Sequence, residues 1–300
     1  MVDAEHVRGS TESDKAEHFS ESVPVSVLIL TLNEEQNIRA CLESVKWAAD
    51  IIVVDSFSTD GTVAIAREYT TKIYQVALGK LSDAGVKRNW AMSNVDFAHE
   101  WVLSLDADDR IPEALSTEIA EVLRSPRVDG FLVRQRYIFM GQPLRFCLGP
   151  LYQLKLFKHR LYRCDEAIHE RPLFGGRVAY LKGCYLQEGK KTLFEYIERH
   201  NLYSSREAEA RRAMRKEPLT FSLRQLLVGD AVTRKRLLTA LWVRMPMRPA
   251  VLFLLFFVFR LGFLDGKRGL IYSLLRGCGY EFLINIKQWE MEHGKREEID

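Results

Sequence analysis

Three short runs of apolar residues, each ending in a polar cluster, constrain the fold more than any other feature. They are VSVLIL before Thr31, IIVVD ending at Asp55, and WVLSLD ending at Asp106. Runs of this length without polar alternation are typical of strands buried on both faces of a parallel sheet. The segments between them have helical spacing of apolar residues. The sequence therefore predicts an α/β fold, with a mostly parallel sheet and helices on both faces.

The polar clusters TLNEE, DSFSTDGT and DADDR all follow predicted strands. Open sheets of this kind bind ligands at the carboxyl ends of their strands, so these distant segments are expected to meet at one site. Thr31, Asn33 and Glu34 in the first cluster suit contacts to a base, a ribose or a phosphate. Asp55 is placed to accept a hydrogen bond from a pyrimidine N–H, and the alternative is an Asx turn through SFSTDG.

Asp106 and Asp108 are separated by one residue, so an extended backbone places both carboxylates on the same side. Oxygen ligands of this type suit hard cations such as Mg²⁺ or Mn²⁺. Asp108 is the preferred ligand. The alternative is a solvated or helix-capping role for the acidic residues, with Asp109 as a cap before Pro112.

Two basic residues, Lys87 and Arg88, lie near the start of a predicted helix that follows the loop GKLSDAG. At that position they can face a phosphate group or decorate a solvated surface. Both interpretations stay open from sequence.

The composition of the chain argues against several classes of protein. A formal net charge of +3 is too small to indicate a nucleic-acid binder, and the basic run near Arg211 is interleaved with glutamates. Five cysteines without a C-x-x-C pair indicate neither a disulfide framework nor a zinc site, which favours a reducing, cytoplasmic compartment. Residues 1–23 have no apolar run like that of a signal peptide and are expected to be a disordered polar tail.

Residues 24–190 are predicted to form the α/β domain and residues 191–300 a helical, basic and amphipathic extension. The most apolar stretch, 249–264, is interrupted by Arg260 and is shorter than the roughly 20 apolar residues that a spanning helix needs. An interfacial or re-entrant helix on an anionic membrane surface is preferred over a helix buried in the protein. The residues expected to meet lipid headgroups are Arg234, Lys235, Arg236, Arg244, Arg248, Lys267 and Arg268.

Four segments, VSVLILTLNEEQNI, IIVVDSFSTDGT, GKLSDAGVKRNWA and WVLSLDADD, resemble glycosyltransferase family 2 in order and spacing. The resemblance implies the GT-A fold, the Rossmann-like fold of nucleotide-diphospho-sugar transferases, and a UDP-sugar or related donor. It also implies that Asp55 holds the nucleobase, that Asp106 lies at the ribose and the metal, and that Asp108 binds the metal.

The resemblance also implies inversion at the anomeric carbon, which requires a base for the acceptor hydroxyl. AIHERPLF looks like an element of the branch of the family that acts in lipopolysaccharide core synthesis. Of the candidates Asp165, Glu166 and Glu170, Glu170 is therefore the expected base and Asp165 the reserve. His169 could orient the Glu170 carboxylate or the diphosphate, and its alternative is a structural role. The C-terminal segments extend the resemblance and favour a lipid-linked glycan acceptor at the inner face of the cytoplasmic membrane.

Two other functions remain open from the sequence. Transfer to a polyprenyl phosphate would need no general base, because the acceptor phosphate is already ionised. A non-catalytic nucleotide-sugar sensor or membrane scaffold would keep the fold without the metal ligands or the base. Oligomeric state is not predicted.

Overall fold

The computed structural model describes residues 22–77, 84–165, 171–189, 192–216, 231–245 and 247–293. Nine of the described strands form one mixed sheet, and helices cover it, so the predicted α/β class is confirmed. The domain boundaries proposed from sequence stay a prediction.

The strands are β1 Val23–Thr31, β2 Ala48–Asp55, β3 Ile73–Gln75, β4 Trp101–Asp106, β5 Asp109–Arg110, β6 Gly130–Phe139, β7 Gln142–Pro143, β8 Leu151–Lys158, β9 Tyr162–Asp165, β10 Arg171–Phe174 and β11 Val178–Gln187. The helices are α1 Glu35–Glu43, α2 Thr62–Ala66, α3 Ala84–Asn94, α4 Glu113–Arg124, α5 Leu193–Lys216, α6 Ala231–Arg244, α7 Arg248–Leu254, α8 Gly266–Tyr272 and α9 Tyr280–His293. Short 3₁₀ turns span His159–Leu161 and Gly262–Asp265, and π-helical segments span Leu255–Phe259 and Ser273–Gly279.

The strand order in the sheet is β3-β2-β1-β4-β8-β6-β11-β5, with β7 paired to β6. The first four strands are parallel, as their apolar runs predict. β8 is antiparallel to both β4 and β6, and β11 is parallel to β6. β9 and β10 form a separate two-stranded sheet. The second half of the chain thus completes the sheet, as expected.

Burial explains why the parallel strands lack polar alternation. In β1 every residue except Pro24 is buried, and β4 is buried until Asp106. Helix α1 closes one face with Ile38, Cys41 and Leu42, the apolar stripe identified in the sequence. Strand β11 has a register irregularity between Tyr180 and Cys184 in its pairing with β6.

The C-terminal helices are joined by buried charges. Arg211 on α5 forms a two-pronged ion pair with Glu281 on α9, at 2.6 and 2.9 Å. Arg248 is fully buried, with its Nε 3.5 Å from Glu281 and its Nη1 donating to the Val243 carbonyl at 2.7 Å. Arg248 therefore cannot meet lipid headgroups, which corrects that part of the prediction. The positive charge of Arg248 offsets the negative charge of the buried Glu281 carboxylate.

A single carboxylate fastens the apolar C-terminal segment to the sheet domain. Asp265 accepts three backbone N–H bonds, from Arg145, Phe146 and Cys147, each at 3.0 Å. Burial would raise the pKa of Asp265, but these three hydrogen bonds outweigh it and lower the pKa. Next to this contact the chain packs so closely that a Cβ on Gly269 would lie 2.0 Å from the Gly262 carbonyl oxygen.

Stretch 249–264 is not one helix. Helix α7 continues into the π segment, and the helix ends near Arg260, where Leu261 adopts a left-handed conformation with a φ of 57°. Within the described ranges, no single helix has the length and apolarity to cross a membrane. Leu237–Arg244 and Arg248–Phe259 reach that length and apolarity only as a pair, which is bent by 110°.

Candidate active site

Strand register brings the predicted polar clusters together. Thr31 at the end of β1 is the register partner of Asp55 at the end of β2, and Leu30 is the partner of Asp106 at the end of β4. The carboxyl ends of three parallel strands therefore meet at one edge of the sheet, where this fold class binds ligands.

The turns after β1 and β2 are tied to each other. Asn33 has a left-handed backbone, its N–H donates to Ser58 Oγ at 2.8 Å, and its side-chain oxygen accepts from the Thr59 N–H at 2.8 Å. Glu34 N–H likewise donates to Thr62 Oγ1 at 2.8 Å. Asn33 thus holds the two turns in place, and its predicted contact to a nucleotide stays a prediction.

Asp55 is fully buried at the end of β2. Its carboxylate accepts hydrogen bonds from Ser58 N–H at 2.9 Å, from Gln75 Nε2 at 3.1 Å and from the Ser58 hydroxyl. The turn interpretation is therefore seen in the structure. The nucleobase role predicted for Asp55 is compatible with this fixed position and stays a prediction.

Thr31 has a buried hydroxyl that, within the part of the chain the structure describes, has no hydrogen-bond partner. Buried polar atoms normally find a partner, and each exception calls for an explanation. A ligand bound at this strand end, beside Asp55, would supply a hydrogen-bond partner for the hydroxyl, which fits the predicted role of Thr31.

Three carboxylates crowd into the turn after β4. One oxygen from each of Asp106, Asp108 and Asp109 lies within 4.8 Å of the others. Both predicted metal ligands, Asp106 and Asp108, are thus brought together. Asp109 joins them and is not a helix cap, since it begins β5.

The first carboxylate of this turn is tied to a cation from α3. Arg88 Nη2 donates to Asp106 Oδ1 at 2.6 Å, and Arg88 Nε donates to Ser104 Oγ at 3.1 Å. Burial would raise the pKa of Asp106, but the charges of Arg88 and Lys155, with Lys87 further away, hold it below its ordinary value. Lys87 and Arg88 are both buried rather than part of a solvated surface.

A buried lysine of β8 neutralises the third carboxylate. Lys155 Nζ lies 2.6 Å from Asp109 Oδ2 and 3.6 Å from Asp106 Oδ2, and it sits 4.8 Å from the centre of the Tyr185 ring. Asp109 Oδ2 also accepts the Asp106 backbone N–H at 3.0 Å. The pair therefore fixes the backbone of the acidic turn.

Asp108 is the least compensated member of the cluster. Burial, followed by the charges of Asp109, Asp106 and Glu34, raises the pKa of Asp108 to about 7. Gln187 approaches its Oδ2 at 3.5 Å. Asp106 and Asp109 are each paired with a cation, whereas among the described residues no lysine or arginine forms an ion pair with Asp108. Crowded carboxylates resist ionisation unless a cation joins them. The oxygen donors and their spacing fit a divalent cation.

The C-terminal region reaches the site through one ion pair. Arg199 of α5 donates to Glu34 Oε1 at 3.1 Å, and Asn37 donates to Glu34 Oε2 at 2.7 Å. Burial raises the pKa of Glu34 although both contacts oppose it. Glu34 therefore links the first turn of the sheet domain to α5.

The predicted base lies outside the described residues, as do His169 and the neighbouring Glu166. Glu170 therefore stays a prediction. The backbone of Asp165 ends β9, where it pairs with Arg171 of β10. Nothing further is established about the reserve base.

Two contributors to the site were missed by sequence reasoning, Lys155 and Arg199. Lys155 could have been noticed, because a charge between Leu154 and Leu156, in the apolar part of the strand, needs a partner if it is buried. Arg199 has no such signal, since it is one of many cations on α5 and its partner is 165 residues away.

Acidic residues gathered at the carboxyl ends of parallel strands form the kind of edge at which open α/β sheets bind ligands. Comparison with known proteins identifies the protein family of this domain. Residues 26–168 match the model of glycosyl transferase family 2. Apart from Val25, this stretch includes all four motifs found in the sequence, so residues 26–168 form a glycosyl transferase family 2 domain with the GT-A fold.

Two proteins with similar sequences are named as glycosyltransferases. The lipopolysaccharide core biosynthesis glycosyltransferase LpsC of Rhizobium meliloti is 27% identical over 206 residues, which are 67% of this chain and 76% of LpsC. An uncharacterized glycosyltransferase of Rickettsia typhi is 29% identical over 203 residues, 62% of this chain and 67% of that protein. Residues 1–349 of S. aureus TarS superpose with a TM-score of 0.43 at 18% identity, covering 92% of this chain and 93% of that chain.

We expect Lys155→Met to destabilise the protein by about 3–5 kcal/mol, because it leaves the Asp109 carboxylate buried without its cation. Urea denaturation measures the change. Lys158→Met, on the same strand but 25% exposed at the side chain, should cost no more than about 1 kcal/mol. The double variant Lys155→Met/Asp109→Asn should regain much of the loss. Equal stability of Lys155→Met and wild type would contradict the role of the pair.

Proposed function

We propose that the protein is an inverting hexosyltransferase that moves a sugar from a UDP-sugar to a lipid-linked glycan, with Mg²⁺ or Mn²⁺ bound at Asp106 and Asp108. The observation that carries this proposal is the acidic turn after β4, where three carboxylates crowd together beside the ends of β1 and β2. The family of residues 26–168 supports the transferase chemistry.

Each residue of the site has a distinct task in this proposal. Thr31 and Asp55 bind the nucleoside, because one offers an unpartnered buried hydroxyl and the other a rigidly held carboxylate. Arg88 and the Lys155–Asp109 pair fix Asp106, and Lys87 adds positive charge near the same carboxylate. The carboxylate of Asp108 remains available to bind the cation. When bound, the cation neutralises the diphosphate and stabilises its departure.

Acceptor chemistry is proposed from the relatives and the sequence. LpsC is named for lipopolysaccharide core biosynthesis, which supports a core glycolipid as the acceptor. An acceptor hydroxyl needs a base to take its proton as the sugar bond forms. We assign that role to Glu170, with Asp165 in reserve. A polyprenyl phosphate acceptor, which needs no base, is the competing possibility.

The apolar segment after α6 supports attachment to the inner face of the cytoplasmic membrane. Its large apolar residues that are more than one-third exposed are Met247, Val251, Leu254, Val258, Phe259, Leu261, Phe263 and Leu264. The cations Arg260, Lys267 and Arg268 are exposed in or just after the same stretch. Exposed apolar side chains flanked by cations suit the interface of an anionic lipid bilayer. Since Asp265 fastens this segment to the sheet domain, a lipid-borne acceptor would be delivered to a fixed surface.

Asp108→Ala should lower kcat/KM for sugar transfer by about 100-fold or more, because it removes the least compensated cation ligand. The assay compares a panel of UDP-sugars with Mn²⁺, with Mg²⁺ and with EDTA, and Mn²⁺ binding is measured separately by electron paramagnetic resonance. Asp96→Ala, at an exposed position, is the control. Turnover that survives both EDTA and Asp108→Ala would refute the metal assignment, and a protein that binds no UDP-sugar would favour a scaffold.

Glu170→Gln should reduce transfer to a hydroxyl acceptor by about 10²–10⁴-fold while leaving UDP affinity unchanged, because only proton removal is lost. Asp165→Asn tests the reserve base, and Glu113→Gln, exposed at the start of α4, is the matched control. Unchanged transfer by Glu170→Gln together with use of a polyprenyl phosphate would favour the competing acceptor class.

Phe259→Ser/Phe263→Ser should weaken binding to phosphatidylglycerol-containing vesicles by at least about tenfold, because each change removes apolar area that would enter the interface. Vesicle co-sedimentation measures the partition. Tyr180→Ser is the control, since its side chain is 66% exposed but lies on β11 of the sheet. Equal sedimentation of the double variant and wild type would contradict docking through this segment.

A further inference from the structure

Arg276 is a half-buried cation that has no counter-ion among the residues the structure describes. It lies in the π-helical segment Ser273–Gly279, and its guanidinium carbon is 4.4 Å from the centre of the Tyr280 ring. Within the described ranges, the side chain of Arg276 forms no ion pair and no hydrogen bond. Partly buried arginines are usually paired with a carboxylate, as Arg211 is with Glu281 a few residues away. The missing partner of Arg276 therefore calls for an explanation.

The surroundings of Arg276 are aromatic. Tyr280 packs edge-on against His200 at 5.6 Å, and His200 stacks on Tyr196 at 3.9 Å. On the sheet side, Tyr272 packs against Tyr137 at 5.8 Å. Burial lowers the pKa of His200, and the nearby charges of Arg276 and Arg199 add to that effect. The imidazole of His200 therefore stays uncharged near neutral pH and does not repel an anion. None of these aromatic neighbours is a carboxylate that could neutralise the Arg276 guanidinium.

This aromatic cluster adjoins the acidic turn. Tyr137 on β6 is the register partner of Gln187 on β11, and the Gln187 amide nitrogen lies 3.5 Å from Asp108 Oδ2. Tyr272, whose ring packs against that of Tyr137, lies four residues before Arg276 in the chain. Arg276 is therefore connected to the acidic turn through Tyr272, Tyr137 and Gln187.

We propose that Arg276 binds a phosphate group of a substrate next to Asp108. A guanidinium presents a planar set of donors that matches phosphate oxygens, and stacking on Tyr280 holds its orientation. No carboxylate in the described chain competes for it, so the charge is available to a ligand. This inference rests on the proposed transferase function. The phosphate comes either from the diphosphate of the donor or from a phosphorylated acceptor.

Binding of UDP and of uridine, measured by calorimetry with Mg²⁺, tests the donor source. Arg276→Gln should weaken UDP binding at least tenfold and leave uridine binding unchanged, because a charge-assisted hydrogen bond to phosphate is lost. Arg276→Lys should recover only part of the affinity. Arg268→Gln is the control, since that arginine is exposed and, among the described residues, its side chain donates a hydrogen bond to the Met140 carbonyl alone, at 3.3 Å. Thermal unfolding confirms that each variant is folded.

Inorganic phosphate tests the acceptor source. With the nucleotide site saturated by UDP, ³¹P NMR titration should show phosphate binding that Arg276→Gln weakens at least tenfold if the acceptor supplies the group. A variant that binds both UDP and phosphate as wild type does would overturn the assignment of Arg276. If the wild-type protein binds no UDP, the proposed function fails, whereas phosphate binding that depends on Arg276 would still establish the anion site.

Discussion

A buried lysine under the acidic turn is the interaction on which the rest of the site depends. Three carboxylates within 4.8 Å of one another repel, and burial makes each charge more costly. Lys155 neutralises Asp109, and Asp109 in turn holds the Asp106 backbone, so that the turn keeps one geometry. Asp106 is balanced by Arg88. Asp108 remains under-compensated, which is what a cation-binding position requires before its ion arrives.

The C-terminal helices are part of the site rather than a separate attachment. Arg199 of α5 contacts Glu34, and Asp265 accepts three backbone N–H bonds from residues 145–147. Buried ion pairs of Arg211 and Arg248 with Glu281 hold the helices together. The same region carries exposed apolar residues and Arg276, whose side chain has no ion-pair partner among the described residues. The proposed lipid-facing surface and the contact with Glu34 therefore belong to one connected group of helices.

Sequence patterns identified the strands, their order along the chain and the acidic strand ends. The sequence predicts that Asp106, Asp108, Thr31 and Asp55 lie near one another, because a period of two in strands and the polarity of strand ends are local signals. The structure places them at one edge of the sheet, and their binding roles stay predictions. Arg248 was misassigned to the membrane surface, and Lys155 and Arg199 were missed. Each of these cations is defined by a partner far along the chain, and no local pattern reports such a pairing. The roles of Glu170 and Asp165 remain predictions.

By itself, the sequence determined the α/β class, the parallel first half of the sheet and the family of residues 26–168, because short apolar runs and motif spacing are encoded locally. Tertiary structure decided which charges neutralise one another. Burial is a property of the packed molecule, and the cost of an unpaired charge depends on the groups that surround it. Only the packed structure therefore distinguishes the paired Lys155, the buried Arg248 and Arg276, whose side chain has no ion-pair partner in the described part of the chain.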